Sequence, residues 1–306
     1  MEKENKKHHH AKKDKVSAKE HVSLCNNIAV GVDGSEGSHN AVELVVQDFM
    51  RKGLDKLYVI HITDSSKDHE RGIQYHAKTI FNSYNDYLKQ HLHQGDYEVI
   101  FQEKKSDESI FEQINEIAGE KKADLLVLGF RGINGSKNRP DELSKGIKYL
   151  VHKPLIPCLV VKEKIHRIYR PENGFKWLVC IESEESKSFK AFNSIMRYID
   201  AESDIVHGFA VDTKSGHTDK AKAAFEEVCK KNEIKNSDFT VVPLKENESI
   251  KTSIHDWVKE HLLNENHFID FIVLGYNPLK YGFNKDASNT TVEMLKDVNV
   301  NVFFDH

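Results

Sequence analysis

Short apolar runs alternate with amphipathic segments along the first half of the chain. The run NIAVGV ends at Asp33-Gly34-Ser35, and the next segment, HNAVELVVQDFMRKG, has apolar residues at helical spacing. The run ADLLVLG is apolar on both faces, which is typical of a strand buried in a parallel sheet. The predicted strands are 27–32, 56–64, 96–104, 123–129 and 158–163, and the later predicted helices are 71–93, one beginning near Ser106, and 142–152. This alternation predicts an α/β fold with a doubly wound parallel sheet.

The second half of the chain repeats the same order of elements. KWLVCIE at 176–182 matches NIAVGVD, and IDFIVLGYNP at 269–278 matches ADLLVLGFRG. Further strands are predicted at 204–212 and 238–244. Matching positions lie 149, 148 and 146 residues apart, for the pairs Asp33 and Glu182, Asp64 and Asp212, and Gly129 and Gly275. A nearly constant offset indicates that one domain is duplicated.

Composition sets the domain boundaries and narrows the classes of function. The chain has 306 residues, enough for two domains, and 39% of them are hydrophobic. We expect a disordered basic arm at 1–23, one domain at 24–163, a linker at 164–174 and a second domain at 175–306. The net charge of −4 gives no general attraction to nucleic acid or to anionic membranes. Since no apolar run reaches the ~18–20 residues of a membrane span, we expect a cytoplasmic protein.

The sequence shows no convincing catalytic or metal site. The four cysteines are far apart, and no pair has the spacing of a zinc site. His61 and His207 lie in predicted strands, and we interpret both as structural. We therefore assign no catalytic residue and no metal ligand.

Three groups converge at one edge of the predicted sheet. Asp33, Asp64 and the loop after Gly129 all follow carboxyl ends of strands, which is where doubly wound sheets bind ligands. A carboxylate there can bind a ribose hydroxyl, and glycine lets backbone N–H groups approach a phosphate closely. This edge is the candidate site.

The segments NIAVGVDGSEGSHNA, VIHITD, ADLLVLGFRG and PCLVV resemble the universal stress protein family, and the resemblance extends from about residue 24 to 306. It implies a five-stranded parallel sheet in the order 3-2-1-4-5 in each half. Many members bind ATP or AMP, and Mg²⁺ would accompany ATP. The family's phosphate loop reads Gly, two residues, Gly, nine residues, Gly, and then Ser or Thr.

The resemblance assigns a role to residues of the first half. Asp33 would face the ribose, the Ile62 backbone the adenine, and the loop the phosphates. The nucleotide-binding residues implied in this way are Asp33, Gly34, Ser35, Ile62, Gly129, Arg131, Gly132, Ser144 and Lys145.

The loop departs from the family pattern at its far end. Nine residues after Gly132 the sequence has Glu142, and only an alignment with two extra residues places Ser144-Lys145 where Gly-Ser/Thr belongs. The alternative is a solvated basic loop around a decayed motif. In the second half Glu182 replaces the aspartate, and Pro278, which has no N–H, replaces the second glycine.

Three hypotheses follow for function. The first is a regulatory or stress-related protein that binds an adenine nucleotide in its first half. The second is a scaffold that has lost its nucleotide sites and docks partners in a larger assembly, with CLVVKE and VNVNVFFDH paired within the chain as a pseudo-dimer, or between chains as a homodimer. The third is slow ATP hydrolysis, for which the sequence shows no evident base or metal clamp.

Overall fold

A computed structural model describes residues 25–66, 72–132, 143–170, 174–182, 187–213, 216–262, 268–275 and 290–305. The predicted arm at 1–23 lies outside these ranges. Within them, no helix is long and apolar enough to cross a membrane.

The described residues form ten strands and eight α-helices. The elements of the first half are β1 (Asn27–Gly31), α1 (Glu36–Leu44), β2 (Lys56–Thr63), α2 (Ala77–His91), β3 (Tyr97–Glu103), α3 (Ile110–Glu120), β4 (Leu125–Gly129), α4 (Lys145–His152) and β5 (Cys158–Val161). The elements of the second half are β6 (Lys176–Cys180), α5 (Lys187–Ile195), β7 (Ile205–Asp212), α6 (Thr218–Lys231), β8 (Asn236–Pro243), α7 (Ile250–Leu262), β9 (Phe271–Gly275), α8 (Thr290–Asp297) and β10 (Asn301–Asp305).

All ten strands belong to one sheet in the order β3-β2-β1-β4-β5-β10-β9-β6-β7-β8. Each half has the order 3-2-1-4-5 with parallel neighbours, which confirms the predicted fold class. The halves meet where β5 pairs with β10 in antiparallel fashion. The structure thereby confirms the predicted pairing within the chain.

The sheet is buried on both faces because its strands alternate apolar side chains between two core clusters. Ile28 and Val30 point into one cluster with α1, α2, α5 and α6, whereas Ala29 points into the other with α3, α4, α7 and α8. Each cluster contains residues of both halves. The two repeats therefore share their cores.

Aromatic packing joins the halves on the α1 face. Phe49, at the end of a π-helical turn after α1, contacts the second-half rings of Trp177, Tyr198 and Phe271 with centroid distances of 6.1, 5.5 and 5.7 Å. Trp177 and Phe271 stack on each other at 4.1 Å. Phe49 is thus a first-half residue within an aromatic cluster of the second half.

The predicted linker is bound to both halves. His166 Nδ1 lies 2.8 Å from Asp48 Oδ2 of the first half. Arg167 donates to both carboxylate oxygens of Asp204, at 3.0 and 2.8 Å, and to the Tyr198 carbonyl at 2.9 Å. These bonds fix the path of the chain between the repeats.

Lys162, directly after β5, makes a further connection between the halves. Its Nζ donates to the Met294 and Val298 carbonyls at the end of α8 and lies 4.6 Å from the Phe130 ring centroid. Burial lowers the pKa of Lys162 to about 7. The Lys162 amino group of the first half thus satisfies carbonyls at a helix end of the second half.

Three helices begin later than the sequence pattern predicts. α2 begins at Ala77 because His76 is extended, and a separate 3-10 turn spans Ile73–Tyr75. α3 and α4 begin directly after Ser109 and Ser144, whose hydroxyl oxygens accept N–H groups of the first helical turn. Apolar spacing alone does not locate these caps.

The register also corrects one matched pair of the repeat. Gly31 pairs with Ile60, and Cys180 pairs with Phe209, so both strand pairs keep an offset of 149 residues. Asp212 is therefore equivalent to Thr63, and the sequence match between Asp64 and Asp212 was wrong by one residue.

Candidate functional site

The candidate site lies where the strand order of the first half reverses, between β1 and β4. Asp33 follows β1 by two residues, and Gly129 is the last residue of β4. The β1–β4 ladder ends at the pair Gly31 and Leu128, so the two connecting turns leave the sheet side by side. Such a switch point forms a crevice at the carboxyl edge of the sheet.

The turn after β1 is held by its own polar groups. Ser35 N–H donates to Asp33 Oδ1 at 3.0 Å, and Ser35 Oγ caps α1 by accepting from Ser38 N–H at 3.3 Å. Gly34 has a φ of +81°, which favours glycine. The sequence Asp33-Gly34-Ser35 therefore specifies a turn that begins a helix.

The turn after β4 packs directly against this first turn. A Cβ on Gly129 would lie 2.4 Å from the Gly37 carbonyl carbon, and one on Gly37 would lie 2.5 Å from the Arg131 oxygen. A Cβ on Gly132 would lie 2.3 Å from Asp33 Oδ2. The glycines are thus required by close approach of the two turns, and they place the Asp33 carboxylate beside Gly132.

Ser35 also ties the two turns together, since its Oγ donates to the Arg131 carbonyl at 3.2 Å. The Arg131 side chain is exposed. The structure therefore brings together Asp33, Gly34, Ser35, Gly129, Arg131 and Gly132 in two adjacent turns.

The Ile62 backbone points toward the same crevice. Ile60 O accepts from Val32 N–H at 2.9 Å, and Thr63 O accepts from Lys104 N–H at 2.7 Å, so alternate residues of β2 face β1 and β3. By this alternation the N–H and C=O of Ile62 face the β1 side. The β1–β2 ladder ends at the pair Gly31 and Ile60, so Ile62 extends past it.

His61 lies where this ladder stops. Its Nδ1 lies 2.8 Å from Val32 O, the carbonyl that the next rung of the ladder would use. The ring is 3% exposed and lies 4.8 Å from the Phe101 ring centroid. The sequence interpretation of His61 as structural fits this position.

The far end of the predicted phosphate loop is described only in part. Ser144 Oγ accepts from Ile147 N–H at 3.2 Å as the N-cap of α4, and α4 begins at Lys145. The N-terminus of α4 lies at the carboxyl edge of the sheet because α4 joins the end of β4 to the start of β5. Residues 133–142, which include Lys137, Arg139 and Glu142, and the Lys145 side chain lie outside the description.

Three residues at the site were missed by sequence reasoning: Gly37, Ser38 and Tyr84. Ser38 is 3% exposed, and its Oγ lies 3.0 Å from the Tyr84 hydroxyl. The signal for Ser38 was its spacing from Ser35, which suits a helix cap. Tyr84 occupies a core position of α2, and nothing in the apolar periodicity distinguishes it from phenylalanine.

At the equivalent edge of the second half, the described residues show part of this arrangement. Glu182 N–H donates to Ser188 Oγ at 3.0 Å, and a Cβ on Gly275 would lie 2.0 Å from Ser188 N. The end of β9 therefore approaches the start of α5 as closely as the end of β4 approaches α1 in the first half, but the Glu182 side chain is exposed. Residues 183–186 and 276–289, with Pro278 among them, lie outside the description.

Other described features do not compete for this role. A groove of about 580 Å³ lies between α2 and β3, lined by Phe81, Lys89, Leu92 and Tyr97 among others. It is near the amino end of β3, away from the crevice. Among the described residues, no group of three or more His, Cys, Asp or Glu side chains could hold a metal ion.

Comparison with known proteins agrees with this geometry. Residues 25–162 match the model of the universal stress protein family. No curated protein sequence matches the chain.

Three solved structures are similar over nearly the whole chain. A universal stress protein from Archaeoglobus fulgidus DSM 4304 has a TM-score of 0.60 at 15% identity, with 91% of this chain and 97% of that chain covered. A protein of unknown function from Pseudomonas aeruginosa PAO1 has a TM-score of 0.59 at 12% identity, with 92% of each chain covered. The cytoplasmic domain of a prokaryotic cation chloride cotransporter has a TM-score of 0.54 at 10% identity, with 92% of this chain and 95% of that chain covered.

At these identities the structural matches establish the fold and not the ligand. The family match covers β1 to β5 with the crevice that they form. Residues 25–162 therefore match a universal stress protein domain, and the second half of the chain repeats the same fold.

Proposed function

We propose that the crevice of the first half binds an adenine nucleotide, AMP or ATP, and that this binding serves a regulatory, stress-related role. The observation that carries the proposal is the position of the Asp33 carboxylate against Gly132 at the strand-order switch point. The proposed ribose acceptor thus lies directly against the turn proposed to bind phosphate.

The Ile62 backbone supplies the base-binding groups of the proposed site. Adenine presents an acceptor, N1, next to a donor, the N6 amino group. One residue whose N–H and C=O both face the ligand can bind this pair, as its position past the ladder allows for Ile62. Guanine reverses the donor and acceptor pattern, so the proposed site selects adenine.

The phosphates would lie over the second turn. Gly132 permits close approach of its backbone N–H, the Arg131 guanidinium adds positive charge, and the α4 N-terminus carries the partial positive charge of a helix start. Ser144 and Lys145 belong to this helix start. Mg²⁺ would be held by the phosphates of ATP, since no cluster of metal ligands stands among the described residues.

Isothermal titration calorimetry tests the proposal with AMP, Mg²⁺-ATP, adenosine and GMP on the full-length protein. We expect AMP and ATP to bind and adenosine to bind more weakly. We expect no GMP binding at a ligand concentration of about 1 mM, and a Kd of that size corresponds to a binding free energy of about −4 kcal/mol. Asp33→Ala should weaken AMP binding at least tenfold, about 1.4 kcal/mol. Asp86→Ala, at an exposed carboxylate of α2, is the matched control and should leave binding unchanged. No binding by the wild type would contradict the proposal and favour the scaffold hypothesis.

A further inference from the structure

Ser38 joins the turn that carries Asp33 to the core of the first half. Its hydroxyl donates to Ser35 O at 2.9 Å, and Asp33 N–H donates to Ser38 Oγ at 3.4 Å. The Tyr84 hydroxyl lies 3.0 Å from the same Oγ. A serine has one hydroxyl proton, so in the arrangement in which Ser38 donates to Ser35 O, the Tyr84 hydroxyl donates to Ser38 Oγ.

Tyr84 is suited to this role because it stays protonated and fixed. Its side chain is 3% exposed within the α1 and α2 core, and burial raises its pKa. A buried hydroxyl of this kind needs a partner, and Ser38 provides it. The bond therefore constrains the rotamer of Ser38, which in turn holds Ser35 and Asp33.

The second half contains the matching position without the hydroxyl. The buried face of α2 is Ile80, Tyr84 and Leu88, and the buried face of α6 is Ala221, Phe225 and Cys229, at the same spacing. Phe225 is thus the equivalent of Tyr84. It packs fully buried in a domain of the same fold, so the fold itself does not require the hydroxyl.

The two halves also differ at the residue that the serine holds. Ser188 is the equivalent of Ser38 and accepts from Glu182 N–H at 3.0 Å, but the Glu182 side chain is exposed. The first half, where the Asp33 carboxylate lies against Gly132, has the tyrosine hydroxyl of Tyr84. The second half has Phe225 at that position and therefore lacks the hydroxyl. Because the same fold forms with phenylalanine in the second half, we attribute the Tyr84 hydroxyl to the site and not to folding.

We propose that Tyr84 is a positioning residue for nucleotide binding, acting through Ser38 to keep the Asp33 carboxylate beside Gly132. The inference rests on the proposed function of the first half. Tyr84 itself is not assigned any contact with the ligand.

The test compares AMP binding to the wild type, Tyr84→Phe and Tyr87→Phe by calorimetry. Tyr87 is the matched control, since it lies on the same helix, and its hydroxyl accepts only from the exposed Gln47 side chain, at 3.4 Å, among the contacts described. We expect Tyr84→Phe to lower AMP affinity about threefold to tenfold, as for one lost hydrogen bond, and Tyr87→Phe to leave it unchanged. Phe225 shows that phenylalanine packs at this position, so Tyr84→Phe should fold.

A double-mutant cycle with Ser38→Ala shows whether Tyr84 acts through the serine. We expect Ser38→Ala to lower AMP affinity by at least as much as Tyr84→Phe, and Tyr84→Phe to cause no further loss in the Ser38→Ala background. A full additional loss in the double mutant would overturn the inference.

The outcomes separate the two proposals. Equal AMP affinity of the wild type and Tyr84→Phe overturns the positioning role and leaves the proposed function intact. A wild type that binds no AMP overturns both, and the wild-type titration alone shows this.

Discussion

Leu159 and Phe303 occupy equivalent positions in the two halves and pair with each other across the antiparallel seam. Leu159 pairs with Val127, the third residue of β4. Phe303 pairs with Val273, the third residue of β9. The flanking pairs, Val302 with Val160 and Phe304 with Cys158, exchange places under the same symmetry. The pseudo-twofold axis of the chain therefore passes through the Leu159–Phe303 pair.

Phe303→Ala should destabilise both halves at once. Phe303 is 1% exposed in a core cluster that contains residues of both repeats, so its truncation leaves a cavity in a shared core. We expect a loss of about 3–5 kcal/mol and a single cooperative unfolding transition. Calorimetric and denaturant unfolding measure this. Ile73→Ala, at a side chain 74% exposed, is the control and should change stability by less than ~0.5 kcal/mol. If unfolding showed two separate transitions, and Phe303→Ala shifted only the transition of the second half, the two cores would be independent.

Gly132→Ala should impair nucleotide binding without unfolding the protein. The added methyl group would meet Asp33 Oδ2 at 2.3 Å, so the carboxylate or the turn must move. We expect AMP affinity to fall at least tenfold, about 1.4 kcal/mol, in calorimetry. Gly95→Ala is the matched control because nothing lies within 4 Å of its added Cβ. An unchanged affinity in Gly132→Ala would remove this turn from the site.

Arg167→Met should cost more stability than removing an exposed cation. The Asp204 carboxylate is fully buried, and Arg167 is its charged partner at 2.8 Å. Removing that partner leaves a buried charge with neutral donors only, at a cost of about 3–5 kcal/mol. Lys235→Met is the control, since Lys235 is 58% exposed and lies 3.7 Å from Glu202, and it should cost less than ~1 kcal/mol. Equal effects of the two substitutions in urea unfolding would refute the importance of the linker contact.

The pH dependence of stability should contain a contribution from Asp270. Burial raises the pKa of this carboxyl to about 6, although it accepts from Lys176 N–H at 2.8 Å and lies 2.6 Å from Arg170 Nη2. Between its usual pKa and about 6, the folded state holds a proton that the unfolded state has lost. Stability from this group is therefore complete at low pH and is lost as the pH rises to about 6.

Asp270→Asn removes that proton exchange and isolates the effect. We expect the stability of the variant relative to wild type to increase by about 2–3 kcal/mol between pH 4 and pH 7. Urea unfolding at a series of pH values measures it. Asp86→Asn, at an exposed carboxylate of α2, is the comparison for an ordinary surface group. A parallel pH profile for Asp270→Asn and wild type would contradict the raised pKa.

The fold could be predicted from the sequence because its strands are buried on both faces. Runs such as LLVLG and FIVLG are apolar throughout, and their repetition predicted a duplicated fold. Helix starts were less predictable. α2 begins after His76 because the His76 backbone is extended, and α3 begins after Ser109 because Ser109 caps it. Apolar spacing does not encode either feature.

The candidate site was predictable only where glycine or carboxylate marked it. Gly129, Gly132 and Asp33 stand out as turn residues after strands, and the structure places Gly132 against Asp33 and Gly129 against Gly37. The Tyr84 hydroxyl and the His61 ring do not stand out, because each occupies a core position of its element. Their partners, Ser38 and Val32, are 46 and 29 residues away in the chain, and only the folded structure brings them together.

The seam between β5 and β10 has a consequence for binding stoichiometry. In a dimer of identical chains, every substitution appears on both sides of the axis, so both crevices gain or lose a ligand group together. In this chain the two crevices are encoded by different parts of one sequence, so a substitution in one does not change the other. Asp33 could therefore remain while the equivalent position became Glu182. If the first crevice alone retains the groups for a nucleotide, one molecule of AMP should saturate each chain, with a hyperbolic isotherm and no cooperativity between equivalent sites.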